Sequence, residues 1–66
     1  MRWKPKVGEI YYAVNVRCEV NHYCWVNDAP DAAYYKCGNI FCTRKQAEQA
    51  AVKVRKLLLS LQKEKI

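Results

Sequence analysis

The sequence predicts an α+β domain: a three-stranded antiparallel sheet followed by one long C-terminal helix packed on it, in the order βββα. Three observations predict it. Residues 10–14 alternate with the period of a half-buried strand. Breaks rich in Asn, Asp, Pro and Gly fall at 27–31 and 38–39. Residues 44–64 contain neither Gly nor Pro and repeat apolar residues at helical spacing. Sixty-six residues make a single small domain, divided into a basic arm (1–8), a sheet (9–42) and a helix (43–64).

The arm, MRWKPKVG, is cationic and conformationally restricted at Pro5. The first strand places Ile10, Tyr12 and Val14 on one face and Tyr11, Ala13 and Asn15 on the other. Asn15, Arg17 and Glu19 interrupt the β-formers, and an uninterrupted strand of eleven residues would exceed the usual length. A hairpin turning near Asn15–Cys18 resolves this, with a second strand from Glu19 to about Val26. Asn27-Asp28-Ala29-Pro30-Asp31 reads as a turn, because Asn and Asp bond their own backbone and Pro cannot donate to a central ladder. A third strand, roughly Ala33 to Cys37, is expected next, closed by Gly38-Asn39.

Thr43-Arg44-Lys45-Gln46 has the form of a capping box, so a helix should start at Arg44 and run to about Glu64. Ala47, Ala50, Ala51, Val54, Leu57, Leu58 and Leu61 form one continuous apolar face, the expected lid of the sheet. Such a helix is about 31 Å long, while strands of six or seven residues reach only about 22 Å. The last turns should therefore overhang the sheet, where they can pair with another chain. Val52 and Leu59, seven residues apart, lie nearly opposite the apolar face among basic residues that include Lys63. They are the candidate partner-binding residues.

The net charge is +6, and it is unevenly distributed. Residues 1–6 carry +3, residues 7–43 carry −2, and residues 44–66 carry +5. A cationic arm and tail suit a polyanion or an acidic protein surface. The acidic balance of the middle opposes contact between the sheet and phosphates, so nucleic acid should meet Arg2, Lys4, Lys6, Arg44, Lys45, Arg55 and Lys56. The eight aromatics lie in or just before the sheet, where about half are needed for the core.

No reaction is dictated by these residues. His22 is the only histidine; it lies two residues from Cys24, and nothing beside it suggests an oxyanion hole or pocket. Asp28 and Asp31 sit in a turn where such residues are expected for local reasons, and no phosphate-cradling glycine loop exists. The cysteines are spaced C-x5-C-x12-C-x4-C, and of these only Cys37 and Cys42 come near the short knuckles of structural zinc sites, at a point where a helix begins. They read as reduced thiols, Cys37 and Cys42 as small packed groups, and no metal or cofactor is expected. No signal peptide follows Met1, and no apolar run approaches a membrane span of about 18 residues, so the chain reads as cytoplasmic with no membrane partner.

The pattern W-x-P-x-x-G-E-x-Y-Y (Trp3, Pro5, Gly8, Glu9, Tyr11, Tyr12) continues through W-x-N-D-x-x-D (Trp25, Asn27, Asp28, Asp31). It ends in G-N-x-F-x-T-x-x-x-A (Gly38, Asn39, Phe41, Thr43, Ala47). Together these resemble a family of small uncharacterised proteins encoded in phages, prophages and gut-bacterial genomes. That resemblance implies no activity and leaves the role of Trp25, Asn27, Asp28 and Asp31 open. The ending G-N-I-F-C-T-R-K-Q-A-E-Q-A is also similar to the last strand and helix start of the arm-site DNA-binding domains of phage-type tyrosine recombinases. This second likeness implies DNA binding, although those domains use their sheet and this sheet region is net acidic. The expectation is a small non-enzymatic accessory protein that binds nucleic acid through its arm and helix. The alternative is a protein-interaction module or inhibitor acting on a host or defence protein, with a homodimer among the expected partners.

Overall fold

The computed structural model describes residues 2–62. Its order is β1 (Ile10–Val14), β2 (Val20–Cys24), α1 (Ala29–Lys36) and α2 (Arg44–Leu61). It is an α+β fold with an antiparallel sheet and a C-terminal helix, but the sheet has two strands rather than three.

β1 and β2 pair antiparallel with Tyr12 opposite His22. The hairpin turns where expected, over Val16-Arg17-Cys18. The Cys18 amide donates to the Asn15 carbonyl, and Asn15 and Glu19 continue the ladder. Cys18 has φ +59°, the left-handed residue that a three-residue hairpin loop requires and that glycine ordinarily fills. Asn15 fastens the turn from inside: its Oδ1 accepts the amides of Arg17 (2.9 Å) and Glu19 (3.0 Å), and its Nδ2 donates to Asn21.

The expected third strand, Ala33–Cys37, is instead part of α1. The segment expected to be a turn is the start of this helix. Asp28 is the N-cap, its carboxylate accepting the Asp31 amide (3.2 Å), and Pro30 occupies the first turn, where its missing N–H costs nothing. Asp31, Tyr34 and Tyr35 then fall at i, i+3 and i+4, which puts all three on the core side. The helix ends in a Schellman motif. Gly38 has φ +79°, its amide donates to the Tyr35 carbonyl, and the Asn39 amide donates to that of Tyr34.

The place of a third strand is held by the segment that leaves α1. Tyr12 and Phe41 exchange both backbone hydrogen bonds at 2.9 Å, a single bridge on the edge of β1 away from β2. Val14 and Asn39 would be the next such pair, but the Asn39 amide is committed to α1. Its side chain substitutes: the Val14 N–H donates to Asn39 Oδ1 (2.8 Å), and Asn39 Nδ2 donates to the Val14 carbonyl (2.7 Å). One carboxamide thus completes a ladder pair that the backbone cannot.

The core is Tyr11, Ala13, Trp25 and Ile40, with Trp3, Tyr23, Tyr34 and Tyr35 packed around it. Tyr11 is at its centre, with ring centroids 5.6 Å from Tyr23, 5.9 Å from Trp25 and 6.1 Å from Tyr34. The tilted and edge-on arrangements are those that aromatic quadrupoles favour. α2 starts as expected, with the Thr43 hydroxyl accepting the Gln46 amide (3.2 Å). The Gln46 side chain does not reach back as a capping box would; it accepts from Cys42 Sγ (3.4 Å).

Only Ala47 and Ala51 of the expected α2 lid are buried, with Ala50 half-buried. Val54, Leu57, Leu58 and Leu61 are exposed, because an 18-residue helix spans about 27 Å against about 17 Å for five-residue strands. The molecule is accordingly elongated, 46 × 23 × 23 Å. The expected helix end near Glu64, and Lys63, lie outside the described residues.

Candidate binding surfaces

The motif residues Trp25, Asn27, Asp28 and Asp31 form one connected structural unit. Trp25 is buried and extends the hairpin, donating its amide to the Glu9 carbonyl and accepting the Gly8 amide at its own carbonyl. Asn27 adopts φ +60°, a left-handed conformation that Asn tolerates better than most residues, and so turns the chain from β2 into α1. Asp28 caps α1. Asp31 is the one charged side chain that is buried among the described residues, and it accepts from the Tyr11 hydroxyl (2.5 Å) and the Val26 amide (2.8 Å).

Burial opposes the Asp31 charge, but the hydrogen bonds from Tyr11 and Val26 outweigh it and hold the carboxyl below its ordinary value. The Tyr11 phenol is pushed well above its ordinary value, first by burial and then by its bond to Asp31. A buried acid with a shifted pKa often marks a catalytic site. Here both carboxylate oxygens are occupied by the fold.

The cationic arm is pinned rather than free at two positions. Arg2 Nη1 donates to the Tyr35 carbonyl (2.6 Å) near the C-terminus of α1, where a positive charge is favoured, and its guanidinium stands 4.3 Å from the Tyr35 ring centroid. Lys4 Nζ lies 5.4 Å from the Tyr35 ring and 5.8 Å from the Trp25 ring. Arg44 stands 5.3 Å from the Tyr12 ring. The sequence placed all seven candidate cations on one footing. The structure separates Arg2, Lys4 and Arg44, which cover aromatic rings, from Lys6, Lys45, Arg55 and Lys56, for which no such ring contact occurs.

Lys45, Val52, Lys56 and Leu59 lie on the side of α2 opposite Ala47 and Ala51, by helical geometry. Lys53 belongs with them and was not among the sequence candidates: with Gln49, Val52 and Lys56 it lines a shallow depression on the helix. Its signal was its place one turn from Gln49 and Lys56. Among the described residues the one ion pair is Arg17–Glu19 (3.9 Å), so none of the seven candidate cations pairs with a carboxylate. Val52 and Leu59 are 53% and 61% exposed, a pair of aliphatics on a charged ridge.

Aromatic side chains offer no comparable surface. All eight are buried or half-buried, so the sheet presents no open stacking platform for bases and no exposed aromatic for a protein partner. The thiols correct a different expectation. Cys37 and Cys42 are exposed rather than packed: Cys37 Sγ donates to the Tyr34 carbonyl (3.5 Å), and Cys42 Sγ to Gln46 Oε1. Cys24 and His22 are exposed on β2. Among the described residues no three of His, Cys, Asp and Glu converge as a metal site would require, and no helix is long and apolar enough to cross a membrane.

No protein-family model matches the chain, and neither a curated protein nor a solved structure does.

Proposed function

We propose that the protein is a non-enzymatic accessory protein of phage type that acts by binding nucleic acid, chiefly along the outer face of α2. The observation that carries this reading is the unpaired state of the cations there. Lys45, Lys53 and Lys56, with Arg55 on the flank of the helix, have no carboxylate partner among the described residues, and the only acid on the helix is Glu48. Such cations release counterions when they meet phosphates, and this supplies affinity without sequence preference. Lys6 extends the surface, while Arg2, Lys4 and Arg44 contribute charge from fixed positions over their rings.

Fluorescence anisotropy with labelled single- and double-stranded oligonucleotides tests the reading across a salt series. With about four phosphate contacts, log K for duplex DNA should fall against log salt with a slope near −3.6. Replacing both Lys45 and Lys56 by Ala should flatten that slope by about two, equally for unrelated sequences. No binding to DNA or RNA at low salt would exclude nucleic acid.

A second reading, a module that engages a host or defence protein, is favoured by the exposed pair Val52 and Leu59. It is tested by affinity capture from nuclease-treated host lysate. A partner retained after digestion and lost with Val52→Asp plus Leu59→Asp would support this reading against the first.

A further inference from the structure

The apolar stripe of α2 continues past the sheet. Ala47 and Ala51 are buried, whereas Val54, Leu57, Leu58 and Leu61 carry the same face into solvent. Val54 stands at the boundary. With Val14, Asn39, Phe41 and Ala50 it lines an open cleft of about 260 Å³ between the sheet edge and the helix.

We propose that a second copy of this chain covers the stripe, the two α2 helices running antiparallel about a two-fold axis between Leu57 and Leu58. In that register Leu57 meets Leu58 of the partner subunit and Val54 meets Leu61 of the partner subunit, so all four apolar positions are matched at once. The charges select the same arrangement. Lys53 and Arg55, which flank the stripe, fall level with Gln62 and Ser60 of the partner subunit, because the cations lie in the first half of the exposed segment and its second half, LSLQ, is neutral. A parallel pair would instead set each cation beside its own copy, which is repulsive.

The cleft adds an argument from shape. Leu61 arrives beside the Val54 of the opposite subunit, at the mouth of the cleft that Val54 lines, so each helix end fills the gap in the other subunit. Both contacts are generated by one two-fold operation, which closes the assembly at two copies. The paired segment 54–61 is only about 12 Å long, so the contact is smaller than a standard stable interface and the association is weak. This dimer is independent of nucleic-acid binding, since it uses the opposite side of the helix from Lys45 and Lys56.

Sedimentation equilibrium on the full chain from about 10 to 500 μM should show the mass rising toward twice the monomer value, as expected for a small interface. Leu58→Glu should remain monomeric throughout, and Val52→Glu, on the other side of the helix, should dimerise as wild type. Far-UV circular dichroism checks that Leu58→Glu is folded; if it is not, Leu58→Ala replaces it, with association weakened about tenfold. In a mixed sample of labelled and unlabelled chains, isotope-filtered NOEs should join Leu61 methyls to those of Val14 and Val54 across subunits. A wild-type chain that stays monomeric at the highest concentration overturns the proposal and leaves the stripe to a different partner. A dimer that survives Leu58→Glu, or NOEs joining Leu61 to Leu61, overturns the interface or its register.

Discussion

The Tyr11 hydroxyl donates to Asp31 Oδ1 at 2.5 Å, and both side chains are buried. The partners are twenty residues apart, on β1 and α1, and the second carboxylate oxygen takes the Val26 amide from the link between β2 and α1. One carboxylate therefore ties three segments of a very small core.

Removing only the hydroxyl isolates that tie. Tyr11→Phe keeps the ring contacts with Tyr23, Trp25 and Tyr34 but leaves a buried carboxylate short of a donor. The expected cost is about 2 kcal/mol, the range for a hydrogen bond to a charged group. Urea denaturation measures it, and a change under about 0.5 kcal/mol would show that water replaces the phenol freely.

The same carboxylate sets an acid limit. Its folded pKa lies below the ordinary 3.8, so the stability it confers is complete above that value and fades as pH falls through the folded one. Asp31→Asn should be less stable at neutral pH and should show a shallower acid limb below about pH 4. Matching acid limbs for the two proteins would place the titrating group elsewhere. At the alkaline end, Tyr11, held above its ordinary 10, should stay un-ionised in the folded chain at a pH where the unfolded chain's tyrosines have titrated, which absorbance at 295 nm can follow.

Cys18 sits at φ +59°, where an L side chain is strained. Cys18→Gly should stabilise the protein by about 1 kcal/mol, since the relief in the left-handed region exceeds the added entropy of the unfolded chain. Cys18→Val should destabilise it by a similar amount or more, because a β-branched residue fits that conformation worst. Thermal melts of the pair decide the matter through the sign of the difference between them.

Asn39 is tested by a change of a single group. Asn39→Asp can still accept the Val14 amide, but it sets a carboxylate oxygen against the Val14 carbonyl where Nδ2 donated. A loss of about 2–3 kcal/mol at pH 7 is expected, with partial recovery as the acid protonates and regains a donor. A pH series of denaturation curves for this variant alone reads out that recovery.

Much of this was legible in the sequence. The alternation at Ile10–Val14, the break near Asn15–Cys18 and the Thr43 cap each depend on neighbours a few residues away, and each element formed where expected. α1 stands where the sequence predicts a turn and a strand, although its start signals are present. Asp28 and Pro30 are as typical of a helix N-terminus as of a turn, and Tyr34-Tyr35 carries strong β propensity. Burial decided between them, because Asp31, Tyr34 and Tyr35 share one helical face and Asp31 needs Tyr11, twenty residues upstream. For the candidate surface, the sequence shows the charge but not the geometry. That Arg2 and Lys4 would fold onto Trp25 and Tyr35 depends on contacts across more than twenty residues.

The commitment of the Asn39 amide to α1 and of its carboxamide to β1 has a kinetic consequence. A fluctuation that opens the last turn of the helix must also free the sheet edge, and the reverse holds equally. Protection against solvent deuterium at Tyr12, Val14, Asn39 and Phe41 should then be lost in one step, with a shared opening free energy, even though these amides belong to different elements. The smallest cooperative unit of this protein is thus neither a helix nor a hairpin, but the joint at which they meet.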